Sequence, residues 1–124
     1  MILSFKNQFK EPILNGKKKH TIREDKADRW REGKHIHFAT GVRTKDYQCF
    51  KIGKCVSTQK IVIQYDNIPP MGLCVRITID GAHLAINDLE RLAKNDGFDS
   101  TSDFLDWFDT VYFKGKIIHW TNLR

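Results

Sequence analysis

The sequence predicts one α+β domain in which about six short strands form a strongly curved, barrel-like sheet and short helices lie near each end of the chain. Patterns of period two, rich in β-branched and aromatic residues, fill most of the chain between residues 33 and 80. Convincing helical patterns follow only after residue 86, with one weaker pattern near the start. Strands and helices therefore do not alternate as they do in repeated βαβ units. With 124 residues the chain can bury one core, and we expect a single domain over residues 1–124.

The first elements are short. ILSF, residues 2–5, and HTIR, residues 20–23, are predicted as strands. Between them, the apolar residues of the stretch 7–16 have helical spacing, and Gly16 follows as a typical helix end. Pro12 must then lie in the first turn of this helix or kink it.

The middle of the chain is predicted to be strands. In KHIHFAT, residues 34–40, apolar and polar side chains alternate, which is typical of a half-buried strand. The stretch 47–65 predicts two more strands about Gly53. Two consecutive prolines at 69–70 interrupt the pattern because proline lacks the amide donor of a ladder, and CVRITID, residues 74–80, resumes it.

Two helices and a last strand complete the fold. Asn87 with Glu90 predicts a capping box at the start of the first helix, and Gly97 predicts its end. Ser100 with Asp103 repeats the capping box for the second helix. GKIIHWT then predicts the closing strand. We expect these apolar residues to form the buried faces of the two helices: Leu89, Leu92, Ala93, Phe104, Leu105, Trp107 and Phe108. Trp30 and Trp120 are also predicted to be buried in the core.

Charge is unevenly distributed along the chain, whose net charge is +6. Residues 1–62 hold 15 Lys and Arg against 6 Asp and Glu, whereas residues 63–124 hold 6 against 9. The halves therefore carry +9 and −3. A basic half favours partners that bear phosphate, such as RNA or a nucleotide, although a solvated basic surface would give the same count.

Several classes of function are not indicated. The sequence has no Walker loop, GxGxxG, HExxH or GxSxG motif, and no cofactor is predicted. Cys49, Cys55 and Cys74 are odd in number and lack CxxC spacing, so neither a disulfide framework nor a zinc site is favoured. His35 and His37 share a strand face without a third ligand nearby, which favours a solvated face over a metal site. We expect no membrane span and no signal peptide, and a reducing cytoplasm fits best.

The stretch GKKKHTIRED, residues 16–25, is the most unusual in the chain. A run of three lysines is by itself most often a solvated surface, although its position beside Gly16 also allows a ligand site. A second candidate is TGVRTKDY, residues 40–47, where a glycine allows close approach and Arg43 can bind a phosphate, although an ordinary hairpin loop explains it as well.

The first of these stretches resembles a known family. FKNQFKEPILNGKKKHTIR is similar to the opening of the ASCH domain family, relatives of the PUA-like RNA-binding fold. The hallmark of that opening is a glycine, a lysine two positions on, and then threonine and arginine, which are here Gly16, Lys18, Thr21 and Arg23. The resemblance continues through REGKHIHFATG, through DLERLAKNDGFDSTSDFLDWF and into the final strand, and so covers most of the chain.

The resemblance implies a PUA-like curved barrel that associates with RNA. One ASCH subgroup hydrolyses acetylated cytidine nucleosides, and another member type is a ribonuclease. The catalytic lysine, threonine and glutamate of the first subgroup fall on Lys18, Thr21 and Asp96. The third position departs from the pattern, since aspartate is one methylene shorter. From the basic stretch and from the loop 40–47, we also expect these residues to bind nucleic acid or nucleotide: Lys17, Lys19, Arg23, Thr40, Arg43 and Thr44.

Two opposing effects would act on Lys18. Burial and nearby cations lower a lysine pKa and favour the neutral amine, which can take a proton from the Thr21 hydroxyl. Asp96 would raise the pKa and keep an ammonium, which can only clamp an anion or polarise a carbonyl. Together with these residues, the resemblance implies a basic cleft that binds RNA or a modified pyrimidine nucleotide, with hydrolysis as an extension. The alternatives are a ribonuclease and a non-catalytic module that binds RNA or an acidic protein.

Overall fold

The computed structural model describes residues 1–121 and has an α+β architecture. Within these residues there are eight strands in two sheets and three short α-helices. The strands are β1 (Ile2–Phe5), β2 (His20–Arg23), β3 (His35–Thr40), β4 (Gln48–Lys54), β5 (Ser57–Ile68), β6 (Gly72–Ile79), β7 (Ala82–His83) and β8 (Tyr112–His119). The helices are α1 (Lys10–Leu14), preceded by a 3-10 turn at Asn7–Phe9, α2 (Ile86–Asn95) and α3 (Thr101–Trp107).

The two sheets differ in size and share one hydrophobic core. The smaller has the order β1-β3-β4, with β1 parallel to β3 and β3 antiparallel to β4. The larger is antiparallel and has the order β2-β8-β5-β6-β7. Side chains from both sheets and all three helices form the core, and the largest fully buried apolar ones are Phe38, Phe104, Ile13, Ile36, Ile61, Ile63, Ile117 and Ile118.

The strands differ from the predicted ones in two ways. β7 has only two residues, too few to show an alternating pattern. Gly53 does not separate two strands but lies within β4, where it packs against Phe38: a Cβ there would lie 3.0 Å from the ring. The break comes at Cys55 and Val56 instead. Cys55 exchanges backbone hydrogen bonds with Gly33 and Lys34, just before β3 of the smaller sheet, whereas the Val56 N–H donates to the His119 carbonyl in β8 of the larger sheet.

One predicted helix cap is wrong and two helix signals are confirmed. α2 begins at Ile86 after Ala85, without a side-chain cap, because Leu84 is still hydrogen-bonded to β6 and the chain turns directly into the helix. Asn87 therefore lies inside the first turn. Ser100 does cap α3, since its hydroxyl accepts from the Asp103 N–H at 3.1 Å.

Gly97 ends α2 as expected. It has a φ of +94°, and the N–H groups of Gly97 and Phe98 donate to the Lys94 and Ala93 carbonyls, both at 3.0 Å. This pair of hydrogen bonds is a Schellman motif, which requires a left-handed residue at the position of Gly97. The motif fixes where Asp96, the residue before the glycine, leaves the helix.

The predicted burial of the tryptophans is correct for Trp30, which is 7% exposed, and wrong for Trp107, which is 43% exposed. Trp107 is the last residue of α3, and its ring packs against Phe9 and Phe98 while keeping part of its surface exposed. Trp120 is partly buried and packs edge-on against Phe38.

Candidate functional site

A cleft of about 440 Å³ opens between β1 and β2, the edge strands of the two sheets. Its polar side chains are Ser4, Lys6, Lys18, Thr21, Arg23 and Asp96, and its apolar ones are Phe5, Phe9, Ile22, Val42, Phe98 and Trp107. The cleft is therefore both cationic and aromatic. Three of the residues implied by the family resemblance, Lys18, Thr21 and Asp96, line it together.

Backbone contacts bring Lys18 into the cleft. Gly16, with a φ of +85°, lets the chain turn back after α1, and the Lys18 N–H then donates to the Pro12 carbonyl at 2.9 Å. The next residue, Lys19, donates its N–H to the Asn95 carbonyl at the end of α2 at 2.7 Å. The basic stretch is thereby held between two helix ends, and the Lys18 side chain is only 3% exposed.

Lys18 and Asp96 form a buried ion pair. The Lys18 ammonium donates to the Asp96 backbone carbonyl and, at 3.2 Å, to its carboxylate Oδ1. The same nitrogen lies 4.7 Å from the centre of the Phe9 ring. Gly97 is needed beside this pair because a Cβ there would lie 3.1 to 3.2 Å from three carbons of the Lys18 side chain.

Of the two effects expected on Lys18, the lowering is the larger. Burial lowers the Lys18 pKa from its usual 10.5, and the nearby Arg23 charge adds to this, while the charge and hydrogen bond of Asp96 oppose it. Burial also lowers the pKa of Arg23 itself, again against the Asp96 charge. A lower pKa increases the fraction of Lys18 present as the neutral amine, the form that can act as a base.

Thr21 contacts Arg23 through its hydroxyl. The Arg23 Nε donates to the Thr21 Oγ1 at 3.2 Å, and the other end of the guanidinium donates to the Ser4 carbonyl in β1. The guanidinium carbon lies 4.9 Å from the centre of the Phe5 ring. Arg23 therefore crosses the gap between the two edge strands and orients the threonine oxygen beneath it.

Sequence reasoning missed His20, a buried polar residue that contacts the Lys18–Asp96 pair. His20 is 2% exposed, and its Nδ1 lies 3.2 Å from Oδ1 of Asp96, the oxygen that also contacts Lys18. The His20 ring packs edge-on against His119, with ring centres 5.2 Å apart. The sequence offered one indication, since His20 lies between Lys18 and Thr21. A single histidine with no second metal-ligating or catalytic residue at a recognisable spacing does not by itself predict a role in a site.

The aromatic wall was also missed. Trp107 packs edge-on against Phe9, with ring centres 5.2 Å apart, and the Lys6 ammonium lies 5.1 Å from the Trp107 ring. Phe5 and Phe9 come just before the basic stretch in sequence, and this proximity was a usable signal. A role for Trp107 in the site could not be predicted, because its spacing along α3 matches that of the buried residues of the helix.

The other residues expected to bind nucleic acid lie outside this cleft. Lys17 and Lys19 line a second groove of about 640 Å³ together with Lys94, and this groove shares Phe98 with the cleft. Arg43 is exposed, has a φ of +66°, and lines a shallow groove with Ser4 and Val42, which also belong to the cleft.

The two remaining threonines do not line either opening. Thr40 is buried at the end of β3, and the Thr44 hydroxyl donates to the Gly41 carbonyl at 2.7 Å within its own turn. Both side chains therefore have a structural environment that explains them without a ligand.

Across residues 1–121 no three His, Cys, Asp or Glu side chains are grouped as they would be around a metal ion. None of the helices in this part of the chain is long and apolar enough to cross a membrane. Comparison of the chain with protein-family models, curated proteins and solved structures finds no match.

Proposed function

We propose that this chain is an ASCH-type domain of PUA-like architecture that binds RNA or a modified pyrimidine nucleoside or nucleotide in the cleft between β1 and β2. The barrel-like closure is supported at two places. The chain passes from the smaller sheet to the larger between Cys55 and Val56, and Arg23 links the opposite edges through the Ser4 carbonyl. The cleft occupies this second junction.

The observation that carries the proposal is a buried ion pair, Lys18 with Asp96, beside an aromatic wall in a small cleft. A pyrimidine has a flat face and an edge of mixed donors and acceptors. Phe9 and Trp107 offer surfaces for the face, since base stacking on aromatic rings contributes about 1–3 kcal/mol. Lys18 and Arg23 can donate to the carbonyl oxygen or the ring nitrogen of the base, and the Asp96 carboxylate can accept from an exocyclic amine. The volume of about 440 Å³ suits a small ligand.

The cations around the cleft favour a phosphorylated ligand over a neutral nucleoside. Lys6 lies in the cleft, Arg43 lies on an adjoining groove, and Lys17, Lys19 and Lys94 line the groove beyond Phe98. An RNA strand with one nucleotide in the cleft would place its neighbouring phosphates near these side chains. Such contacts make affinity fall with added salt, because neutralising each phosphate releases a bound counterion.

A titration followed by NMR tests the binding function. Labelled protein is titrated with cytidine, cytidine 5′-monophosphate and short single-stranded RNA, and we expect shift changes that concentrate in residues lining the cleft. Lys18→Met should weaken binding about tenfold or more, since a hydrogen bond from a charged donor contributes about 1.5–3 kcal/mol. Lys34→Ala, which removes an exposed lysine outside the cleft, is the matched control. Equal affinities for both variants and the parent would contradict the proposal.

Amide hydrolysis of an acylated cytidine is the second candidate, favoured by the lowered pKa of Lys18 and by the presence of Thr21 in the same cleft. A neutral Lys18 amine takes the Thr21 proton as Oγ1 attacks the acyl carbon, and Arg23 stabilises the negative charge that develops on the oxygen. The C–N bond then breaks, Lys18 returns the proton to the leaving amine, and water hydrolyses the acyl-threonine. A neutral amine retains two N–H groups, enough for both contacts with Asp96, and a lone pair for the proton.

Deacetylation of N4-acetylcytidine, followed by the release of acetate, tests this candidate. We expect turnover by the parent and loss of turnover in Thr21→Ala, with cytidine binding retained. Thr21→Ser keeps the hydroxyl and should retain part of the rate. Turnover by Thr21→Ala at the parent rate would exclude Thr21 as the nucleophile. Cleavage of the RNA instead of the acylated nucleoside would favour the ribonuclease alternative.

A further inference from the structure

His20 occupies a position that the proposed chemistry does not use. Its side chain is 2% exposed, so the chain has buried an imidazole beside the Lys18–Asp96 pair. Two contacts fix the ring. Nδ1 lies 3.2 Å from Asp96 Oδ1, and the edge of the ring packs against His119. His119 is itself held by Gln59, with its Nε2 2.7 Å from the amide oxygen.

The His20 contact falls on the oxygen that Lys18 uses. Both nitrogens lie 3.2 Å from Asp96 Oδ1. An ionised carboxylate can only accept hydrogen bonds, so the His20 nitrogen facing it must carry a hydrogen and donate. One carboxylate oxygen therefore receives two donors, and each donor reduces the electron density available to the other.

From this geometry we infer that His20 is a positioning residue, which holds the Asp96 carboxylate and competes with Lys18 for Oδ1, so that the amine is not fixed as an ammonium. The inference rests on the proposed function in one respect, because the positioning serves catalysis only if Lys18 acts as a base. A lysine whose carboxylate partner is shared loses its proton more readily than one with an exclusive partner. The lowered pKa of Lys18 itself comes mainly from burial, with the Arg23 charge adding to it, and the His20 contact would act on the Asp96 side of this balance.

The titration of Lys18 itself provides the test. Protein labelled with ¹³C at the lysine ε carbon is titrated by NMR, and the Lys18 signal is identified by its absence from Lys18→Arg. His20→Leu removes the donor, and we expect the Lys18 midpoint to move to higher pH because Asp96 Oδ1 is left to the amine alone. His20→Asn places an amide N–H near the position of Nδ1 and should keep the midpoint of the parent.

Two further variants separate this role from packing. His20→Gln carries its amide near the position of Nε2 and should behave like His20→Leu, so the contrast between Asn and Gln decides the question if the leucine variant does not fold. His37→Leu removes an exposed histidine in β3 and should leave the Lys18 midpoint unchanged. Identical midpoints in the Asn, Gln and parent proteins would overturn the inference.

The outcome is independent of ligand binding. A Lys18 midpoint that responds to His20, in a protein that binds no cytidine or RNA, would support the positioning role and exclude the proposed function. Cytidine binding by a protein whose Lys18 midpoint does not respond to the His20 variants would support the proposed function and overturn the positioning role.

Discussion

Replacing Gly97 by alanine should disturb both the fold and the site, and the structure allows the two effects to be separated. Gly97 has a φ of +94°, where a residue with a Cβ is strained by about 1–2 kcal/mol. Its Cβ would also lie 3.1 Å from Cδ and 3.2 Å from Cβ and Cγ of Lys18. Because that lysine is buried, it cannot simply move aside into solvent, and overpacking of this kind costs about 1–3 kcal/mol.

Gly81 provides the matched control. It has a φ of +85°, and a Cβ there would meet nothing within 4 Å. Gly81→Ala should therefore show the backbone strain alone, a loss of about 1–2 kcal/mol. Gly97→Ala should lose about 1–3 kcal/mol more, which corresponds to a Tm lower by about 4 °C for each kcal/mol. Urea and thermal unfolding measure both variants under the same conditions.

The Lys18 NMR signal provides a second readout of the same change. We expect it to shift in Gly97→Ala and to stay in place in Gly81→Ala. Equal losses of unfolding free energy in the two variants, with an unmoved Lys18 signal in both, would refute the idea that the turn after α2 must lack a side chain in order to seat the lysine.

Three further predictions concern charge and the aromatic wall. The unfolding free energy should rise with pH between the lowered pKa of folded Lys18 and the usual 10.5, because in this range the unfolded chain binds one more proton than the folded one. Urea unfolding at several pH values measures this slope, which should be absent in Lys18→Met. The hydrogen bond and charge of Lys116 lower the Asp28 pKa, so the unfolded chain takes up this proton at higher pH than the folded one. The unfolding free energy should therefore fall as the pH drops through and below about 3.8, and acid unfolding of Lys116→Met should show a shallower fall. Trp107→Ala should weaken cytidine binding about 5- to 100-fold in calorimetry, and a phenylalanine there should restore part of the affinity. We also expect some loss of stability, because the ring is only 43% exposed and packs against Phe9 and Phe98.

Elements with a local signal could be predicted from the sequence. The glycine end of α2, the serine cap of α3 and the alternating strand at β3 each depend on residues close in sequence, and the structure confirms them. β7 pairs with the end of β6 across the two-residue turn of Asp80 and Gly81, a local hairpin signal that was available, but its two residues are too few to show an alternating pattern. The continuation of β4 through Gly53 depends on pairing with β3 and on contact with the Phe38 ring, which no local pattern records.

The candidate site was predictable only in part, for the same reason. The family resemblance indicated Lys18, Thr21 and Asp96, and the structure places all three on one cleft. Sequence patterns did not indicate His20 or Trp107 as site residues, because a buried histidine and a helical tryptophan look like ordinary core residues. Which of the opposing effects on Lys18 is larger also depends on burial, a property of the assembled fold.

The ion pair of the cleft joins residues 78 positions apart, so the cleft comes into being only when the two halves of the polypeptide have met. Contacts this distant in sequence are absent from fragments and partly folded chains, which cannot bind as the native protein does. Any occupant of the cleft would therefore stabilise the whole native state by mass action, according to its concentration relative to its Kd. A melting-temperature screen over nucleosides, nucleotides and their acylated forms would for this reason detect a binder whatever reaction the cleft performs.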